Sequence, residues 1–157
     1  MPEDRPDLLV FPPVLPLGGL ALGFFQEWLF PLAGKLPWLR EPGWRICAAI
    51  LLLVGFGLIV SSLMAMMRAR TAVNPRYPTL HLVETWPFTW SRNPMYLGGN
   101  LALLGLGFAF RLPWVFVLFP VLVLICHYGV VLREENYLER KFGLAYRAYK
   151  ARVHRWL

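Results

Sequence analysis

Four long stretches without Asp, Glu, Lys or Arg constrain this chain more than any other feature. They run from Leu8 to Gln26, Ile46 to Met67, Asn93 to Phe110 and Leu112 to Leu132. Each is close to the roughly 20 residues that an α-helix needs to cross a bilayer. Because 57% of the 157 residues are hydrophobic and only 16% are charged, a soluble domain of this size could not bury its apolar side chains. We therefore predict an all-α polytopic membrane protein with four transmembrane helices.

The predicted organisation is a single membrane domain over residues 1–157. A polar loop with three prolines separates the second and third spans, and a helical tail follows the fourth. The first apolar run has no small-residue cleavage site behind it, so we interpret it as a retained helix and not a signal peptide. The predicted segments are spans over about 8–26, 46–67, 93–110 and 112–132, a cytoplasmic loop over 68–92 and a tail over 133–157.

The positive charge is distributed as in a membrane protein, although the net charge of +7 would also suit a nucleic-acid-binding protein. If both termini are cytoplasmic, only Lys35, Arg40, Arg45 and Arg111 lie outside. The positive-inside rule then predicts a multi-pass protein of the inner (cytoplasmic) membrane, and no nucleic-acid partner. The basic residues placed inside are Arg5, Arg68, Arg70, Arg76, Arg92, Arg133, Arg140, Lys141, Arg147, Lys150, Arg152 and Arg155.

Cysteine and histidine spacing favours neither a disulfide nor a metal site. Cys47 and Cys126 both fall inside predicted spans, with no partner in a loop. His127 has no second histidine or cysteine placed to share a metal, so we interpret it as a hydrogen-bond partner between helices. No metal cofactor is expected.

The predicted tail is an amphipathic helix. Phe142, Tyr146, Tyr149 and Val153 recur at spacings of four, three and four residues, which puts them on one helical face. The other faces are basic and suit the anionic headgroups of membrane lipids. Gly143 permits a bend, and the two tyrosines are interpreted as packing residues.

Polar residues concentrate at two segments that a tight hairpin of the third and fourth spans brings together. One segment is Ser91 to Tyr96 and the other is Leu132 to Tyr137. The second segment contains adjacent carboxylates, Glu134 and Glu135, which are costly at a membrane boundary unless each has a partner. The pair therefore indicates either a functional site or an ion-pair network with Arg92 or Arg133.

These two segments resemble the isoprenylcysteine carboxyl methyltransferase family, to which the phospholipid N-methyltransferases are related. The first block runs from Leu82-Val83 through Trp86-Pro87-Phe88 to Arg92-Asn93-Pro94-Met95-Tyr96-Leu97-Gly98. The second block comprises Arg133-Glu134-Glu135, Leu138, Phe142-Gly143, Tyr146, Tyr149, Val153 and Arg155-Trp156. Together the blocks cover Asn74 to the last residue. The resemblance implies methyl transfer from S-adenosyl-L-methionine at the cytoplasmic membrane face.

The resemblance also implies roles for single residues. Arg92 is the catalytic candidate, because its position would align or polarise the acceptor group. Phe88 stands where the family often has tyrosine, and Asn93 stands where the family more commonly has histidine. Residues implied to bind the cofactor are His81, Leu82, Val83, Phe88, Asn93, Pro94, Met95, Tyr96, Glu134 and Glu135.

The acceptor implied by the resemblance is lipid-like or prenylated, and it would enter from the membrane. Prenylcysteine-specific members have a substrate-binding arginine about one turn before the glutamate pair, where this chain has Val130. Arg133 is the nearest alternative, and Asn100 could face either a neighbouring helix or the substrate. Phospholipid N-methylation and a non-catalytic scaffold or lipid-binding protein remain the alternatives.

Overall fold

The fold was analysed in a computed structural model that describes residues 4–36, 39 and 41–157. Throughout these residues the regular secondary structure is helical, and no strand is present in them. The prediction of an all-α fold is therefore confirmed. Arg40, which the charge distribution puts outside, lies outside the described residues.

Two helices are long and apolar enough to cross a membrane. Helix α2 spans Gly43–Arg68, and a continuous helix of 30 residues spans Pro113–Phe142. The latter comprises α4 (Pro113–Cys126), a π-helical turn (His127–Val131) and α5 (Leu132–Phe142). Two apolar helices are shorter, α1 (Val14–Leu29) and α3 (Pro94–Ala109), with 16 residues each. At about 1.5 Å per residue each is roughly 24 Å long, somewhat less than a bilayer core, so the four-span topology stays a prediction.

Helix α1 begins at Val14 because two prolines precede it. Pro12 and Pro13 lack the N–H that a helix interior requires, so the earlier residues follow a different path. Residues 4–13, here called the N-terminal strap, run along the carboxyl-terminal half of the Pro113–Phe142 helix. Leu9 donates its N–H to the carbonyl of Gly129 at 3.0 Å, inside the π-helical turn. A strap fixed in this way is part of the same body as the helices.

Helices α2 and α3 approach each other most closely at two glycines. A Cβ atom added at Gly98 would lie 2.6 Å from the carbonyl oxygen of Gly55 and 3.0 Å from a side-chain carbon of Ile59. Small residues at such points let membrane helices pack backbone to backbone. Gly99, one residue further, has open space where its Cβ would stand. The two neighbouring glycines therefore differ in role, and only Gly98 is required for packing.

We expect Gly98→Ala to destabilise the protein by about 1–3 kcal/mol, because the added methyl meets main-chain atoms that cannot move aside. Gly99→Ala is the matched control, expected to be neutral or stabilising by up to about 1 kcal/mol through helix propensity. Thermal unfolding in detergent compares the two variants. Equal melting temperatures would contradict the close α2–α3 contact.

The carboxyl-terminal segment bends back over the start of α3. Gly143 adopts φ +53°, a left-handed value that L side chains rarely take, and separates α5 from α6 (Leu144–Arg152). Beyond α6 the chain passes the start of α3, where the backbone N–H of Arg92 donates to the carbonyl of His154 at 2.9 Å. Ser91 Oγ donates to the carbonyl of Arg155 at 3.2 Å. These contacts bring the two polar segments and the tail to one end of the bundle.

Candidate active site

Glu135 is the centre of a buried hydrogen-bond network at this end of the bundle. The residue is 3% exposed. Its carboxylate accepts from Arg155 Nε and Nη2, both at 3.1 Å, and from Asn93 Nδ2 at 3.2 Å. Arg92 Nη2 lies 3.5 Å away on the same side. The carboxylate thus ties α5 to the start of α3 and to the carboxyl-terminal segment.

Glu134 has a different environment from its neighbour. Tyr96, one turn into α3, donates its hydroxyl hydrogen to Glu134 Oε2 at 2.5 Å. No cation pairs with Glu134 among the residues that the structure describes, whereas Glu135 contacts two arginines. Two adjacent carboxylates therefore serve different purposes: one is neutralised within the protein and the other keeps capacity for an external donor.

Arg92 keeps unused hydrogen-bond donors in a buried position. Its side chain is 7% exposed, and Nε and Nη1 are buried without a partner. A guanidinium has only donors, and leaving them unsatisfied costs more than leaving a neutral group so. Such an arrangement fits a group that receives an anionic or carbonyl oxygen from a ligand.

A cleft of about 60 Å³ joins these groups. Its walls come from α5, α6, the end of α2 and the loop between α2 and α3. Of the residues predicted to bind the cofactor, seven line it together with Arg92; they are His81, Leu82, Val83, Phe88, Asn93, Glu134 and Glu135. The two polar segments that the sequence predicts to lie close together both contribute residues to this cleft.

Two buried tyrosines close the far side of the cleft. Tyr146 is 1% and Tyr149 is 3% exposed, and Tyr149 donates to the backbone carbonyl of Phe88 at 2.7 Å. Burial raises the pKa of both hydroxyls well above the ordinary value, so both remain neutral donors at physiological pH. These two tyrosines therefore both pack in the interior and line the cleft. Their helical spacing indicated the buried face but not the cavity that it borders.

The sequence reasoning also missed a role for Arg155. It lies twenty positions beyond Glu135 and forms the bidentate pair with it. The hydrogen bonds that Arg155 donates to Glu135 raise the pKa of Arg155 above its ordinary value. No spacing rule predicts this partner, because the contact depends on the bend at Gly143 and the return beyond α6.

A second, apolar cavity lies beside the cleft. This groove has a volume of about 530 Å³ and runs between α1, α2, α3 and the strap. Met95, Tyr96 and Asn100 line it, and Gly99 leaves room there. Since Tyr96 borders the groove while its partner Glu134 borders the cleft, this hydrogen-bonded pair stands between the two cavities.

The structure does not bring every predicted residue to a cavity. Arg133 donates to the side chain of Asp7 at 3.1 Å and to its backbone carbonyl at 3.0 Å, and it lines neither the cleft nor the groove. Pro94 is buried as the first residue of α3. Val130 is fully buried. Within the described part of the chain, no three His, Cys, Asp or Glu side chains are grouped as a metal ion would require.

Comparison with known proteins places the chain in a class of methyltransferases. The family model described as phospholipid methyltransferase matches residues 44–145, about two thirds of the chain. The chain belongs to the phospholipid methyltransferase family, which covers the isoprenylcysteine carboxyl methyltransferase-like group. The predicted resemblance is thus confirmed at family level. Arg92, Tyr96, Glu134 and Glu135 fall inside the matched region.

One relative is an uncharacterized protein of Haemophilus influenzae. It is 43% identical over 65 residues, which are 40% of this chain and the whole of that protein. No solved structure matches the chain significantly.

Proposed function

We propose that this protein transfers a methyl group from S-adenosyl-L-methionine to a lipid-like acceptor at the cytoplasmic face of the membrane. The observation that carries the proposal is the Tyr96–Glu134 pair standing between a polar cleft and an apolar groove. A reaction between a water-soluble donor and an amphiphilic acceptor needs two such compartments meeting at one point. The family supplies the reaction class.

The cleft suits this cofactor chemically. Bound there, the cofactor would supply a methyl group activated by a positively charged sulfur. Glu134, which has no cation partner in the described residues, can accept from an ammonium group or from ribose hydroxyls. Phe88, Tyr146 and Tyr149 line the cleft, where aromatic rings would attract the cationic sulfur. Three residues that the sequence predicts to bind the cofactor do not line the cleft: Met95 and Tyr96 line the groove, and Pro94 is buried at the start of α3.

The acceptor would lie in the apolar groove with its reactive group near Tyr96. The unused donors of Arg92 favour an acceptor that presents an anionic oxygen over one that presents an ammonium group. A carboxylate oxygen would then form the new bond to the methyl carbon, and the electron pair of the broken carbon–sulfur bond would stay on sulfur. The negative charge of the acceptor carboxylate and the positive charge of the sulfur both disappear in this step, and no proton has to be removed.

Membrane topology completes the proposal. All four apolar helices would cross the inner membrane as one domain, with both termini, the loop and the tail helices cytoplasmic. Two helices are long and apolar enough to cross a membrane, and they support the membrane assignment. The family membership supports it as well. Helices α1 and α3 would then cross with flanking residues taking up the remaining thickness.

The cofactor site is tested by calorimetric titration of S-adenosyl-L-methionine and its demethylated product into the protein in detergent. We expect saturable binding that Glu134→Gln weakens at least about tenfold, because the charged acceptor is lost. Glu139→Gln is the matched control, since Glu139 pairs with Arg147 and Lys150 at the surface and lines neither the cleft nor the groove. Absence of binding to folded wild-type protein would favour the non-catalytic lipid-binding alternative.

The acceptor class is tested by incubating membranes with methyl-labelled cofactor and treating the lipid extract with mild alkali. Because Arg92 favours a carboxylate acceptor, we expect the label to be released, as a methyl ester would be. Label that survives alkali as a methylated amine would contradict this assignment and indicate phospholipid N-methylation.

A further inference from the structure

The N-terminal strap is held by ion pairs that use up its own acidic groups. Lys141 Nζ contacts both carboxylate oxygens of Asp4, at 2.7 and 2.6 Å, and Arg133 contacts Asp7 at 3.1 Å. The hydrogen bond from Lys141 holds the pKa of Asp4 below its ordinary value, so the pair is ionised at neutral pH. The negative charge of the strap is thus neutralised by α5.

A cavity of about 520 Å³ lies between the strap, the loop and α5. Arg5, Arg76 and Arg140 line it, and among the described residues in its walls the only acidic one is Asp7, which is already paired with Arg133. Arg76 and Arg140 make these walls basic. The Arg76 guanidinium lies over the ring of Phe11, 4.6 Å from its centre, which orients its fork while leaving its edge donors open.

This basic cavity adjoins the apolar groove, because Phe11 and Pro75 line both. The combination of an arginine cluster at the mouth and an apolar groove behind it matches an amphiphile whose head is anionic. A soluble anion would use the first part only, and a neutral lipid the second only.

We propose that the strap, the loop and α5 form a binding site for an anionic membrane phospholipid, with its phosphate at Arg76 and Arg140 and its acyl chain entering the groove past Phe11. This site goes beyond the proposed methyl transfer. Lipid binding at this site is expected in the protein without cofactor. The strap would thus contribute part of a lipid site as well as cover the helix end.

The test is native mass spectrometry of the full chain in detergent, without cofactor, titrated with short-chain phosphatidylglycerol, the matched phosphatidylcholine or inorganic phosphate. We expect phosphatidylglycerol to bind about tenfold more tightly than phosphatidylcholine, and the double variant Arg76→Gln/Arg140→Gln to lose that advantage. Arg76→Lys, which keeps the charge, should retain most of it.

The charge-matched control is Arg68→Gln/Arg152→Gln, which removes two positive charges from residues lining neither the basic cavity nor the groove. Equal loss in both double variants would overturn the site in favour of general surface attraction. Equal binding of the two lipids, or binding of inorganic phosphate as tight as that of phosphatidylglycerol, would overturn it as well. Since only lipid binding is measured, these outcomes are independent of whether Glu134 binds a cofactor.

Discussion

Glu135→Gln is expected to lower the free energy of unfolding by about 3 kcal/mol and to release the carboxyl-terminal segment. The carboxylate accepts hydrogen bonds from Arg155 and Asn93 and forms an ion pair with Arg92, and removing one member of a buried charged group leaves the others uncompensated. Arg155, with 30% of its side chain exposed, can turn to water, but Arg92, with 7%, cannot. The residual cost is therefore concentrated on Arg92.

The measurement is thermal unfolding in detergent combined with limited proteolysis after α6. Glu139→Gln provides the control, because its two ion pairs lie at the surface and such pairs contribute about 0–1 kcal/mol. A Glu135→Gln protein as stable as the Glu139→Gln protein, with a protected tail, would show that the network does not hold the segment.

Hydrophobic patterning and proline placement were sufficient to predict the helical class and the meeting of the two polar segments. The runs beginning at Ile46, Asn93 and Leu112 each fall almost entirely on one helix of the bundle. The hairpin is predicted by the short connection at Arg111, which adopts φ 55° between α3 and α4. These features follow from local sequence, because an apolar run in a bundle has few alternatives to a helix.

The first apolar run, Leu8 to Gln26, predicts its helix less accurately, because residues 8–13 are apolar but not helical. Periodicity cannot separate an apolar strap from an apolar helix when the segment is short. The hydrogen bond from Leu9 to Gly129 that satisfies the strap backbone is made with a residue more than a hundred positions away. A hydrogen bond between residues so far apart in the chain cannot be predicted from local sequence.

The π-helical turn is a second feature that sequence could not supply. An i to i+5 turn inserts an additional residue into a helix, so the residues after it face a different direction from those that a regular helix would present. The turn at His127–Val131 directly precedes the glutamate pair. It therefore sets the directions in which Glu134 reaches Tyr96 and Glu135 reaches Asn93. Adjacent carboxylates acquire separate partners partly through this offset.

Arg92→Gln is expected to reduce methyl transfer about 100-fold while changing the dissociation constant of the cofactor less than about threefold. The reason is the proposed position of Arg92: donors aimed at the acceptor oxygen, and not at the cofactor, act on alignment and on charge in the reacting pair. Arg92→Lys keeps the charge but not the planar fork, so we expect an intermediate loss.

The comparison of binding with turnover decides what the unused donors of Arg92 serve. Transfer is measured as label incorporated into membrane lipid, cofactor binding by calorimetry, and folding by thermal unfolding of the same preparations. If Arg92→Gln weakened cofactor binding as much as transfer, the donors would hold a carboxylate of the cofactor and the acceptor assignment would be wrong. A stable variant with normal cofactor binding and lost transfer would support the proposed role of Arg92, in the wall of the cleft, toward the acceptor.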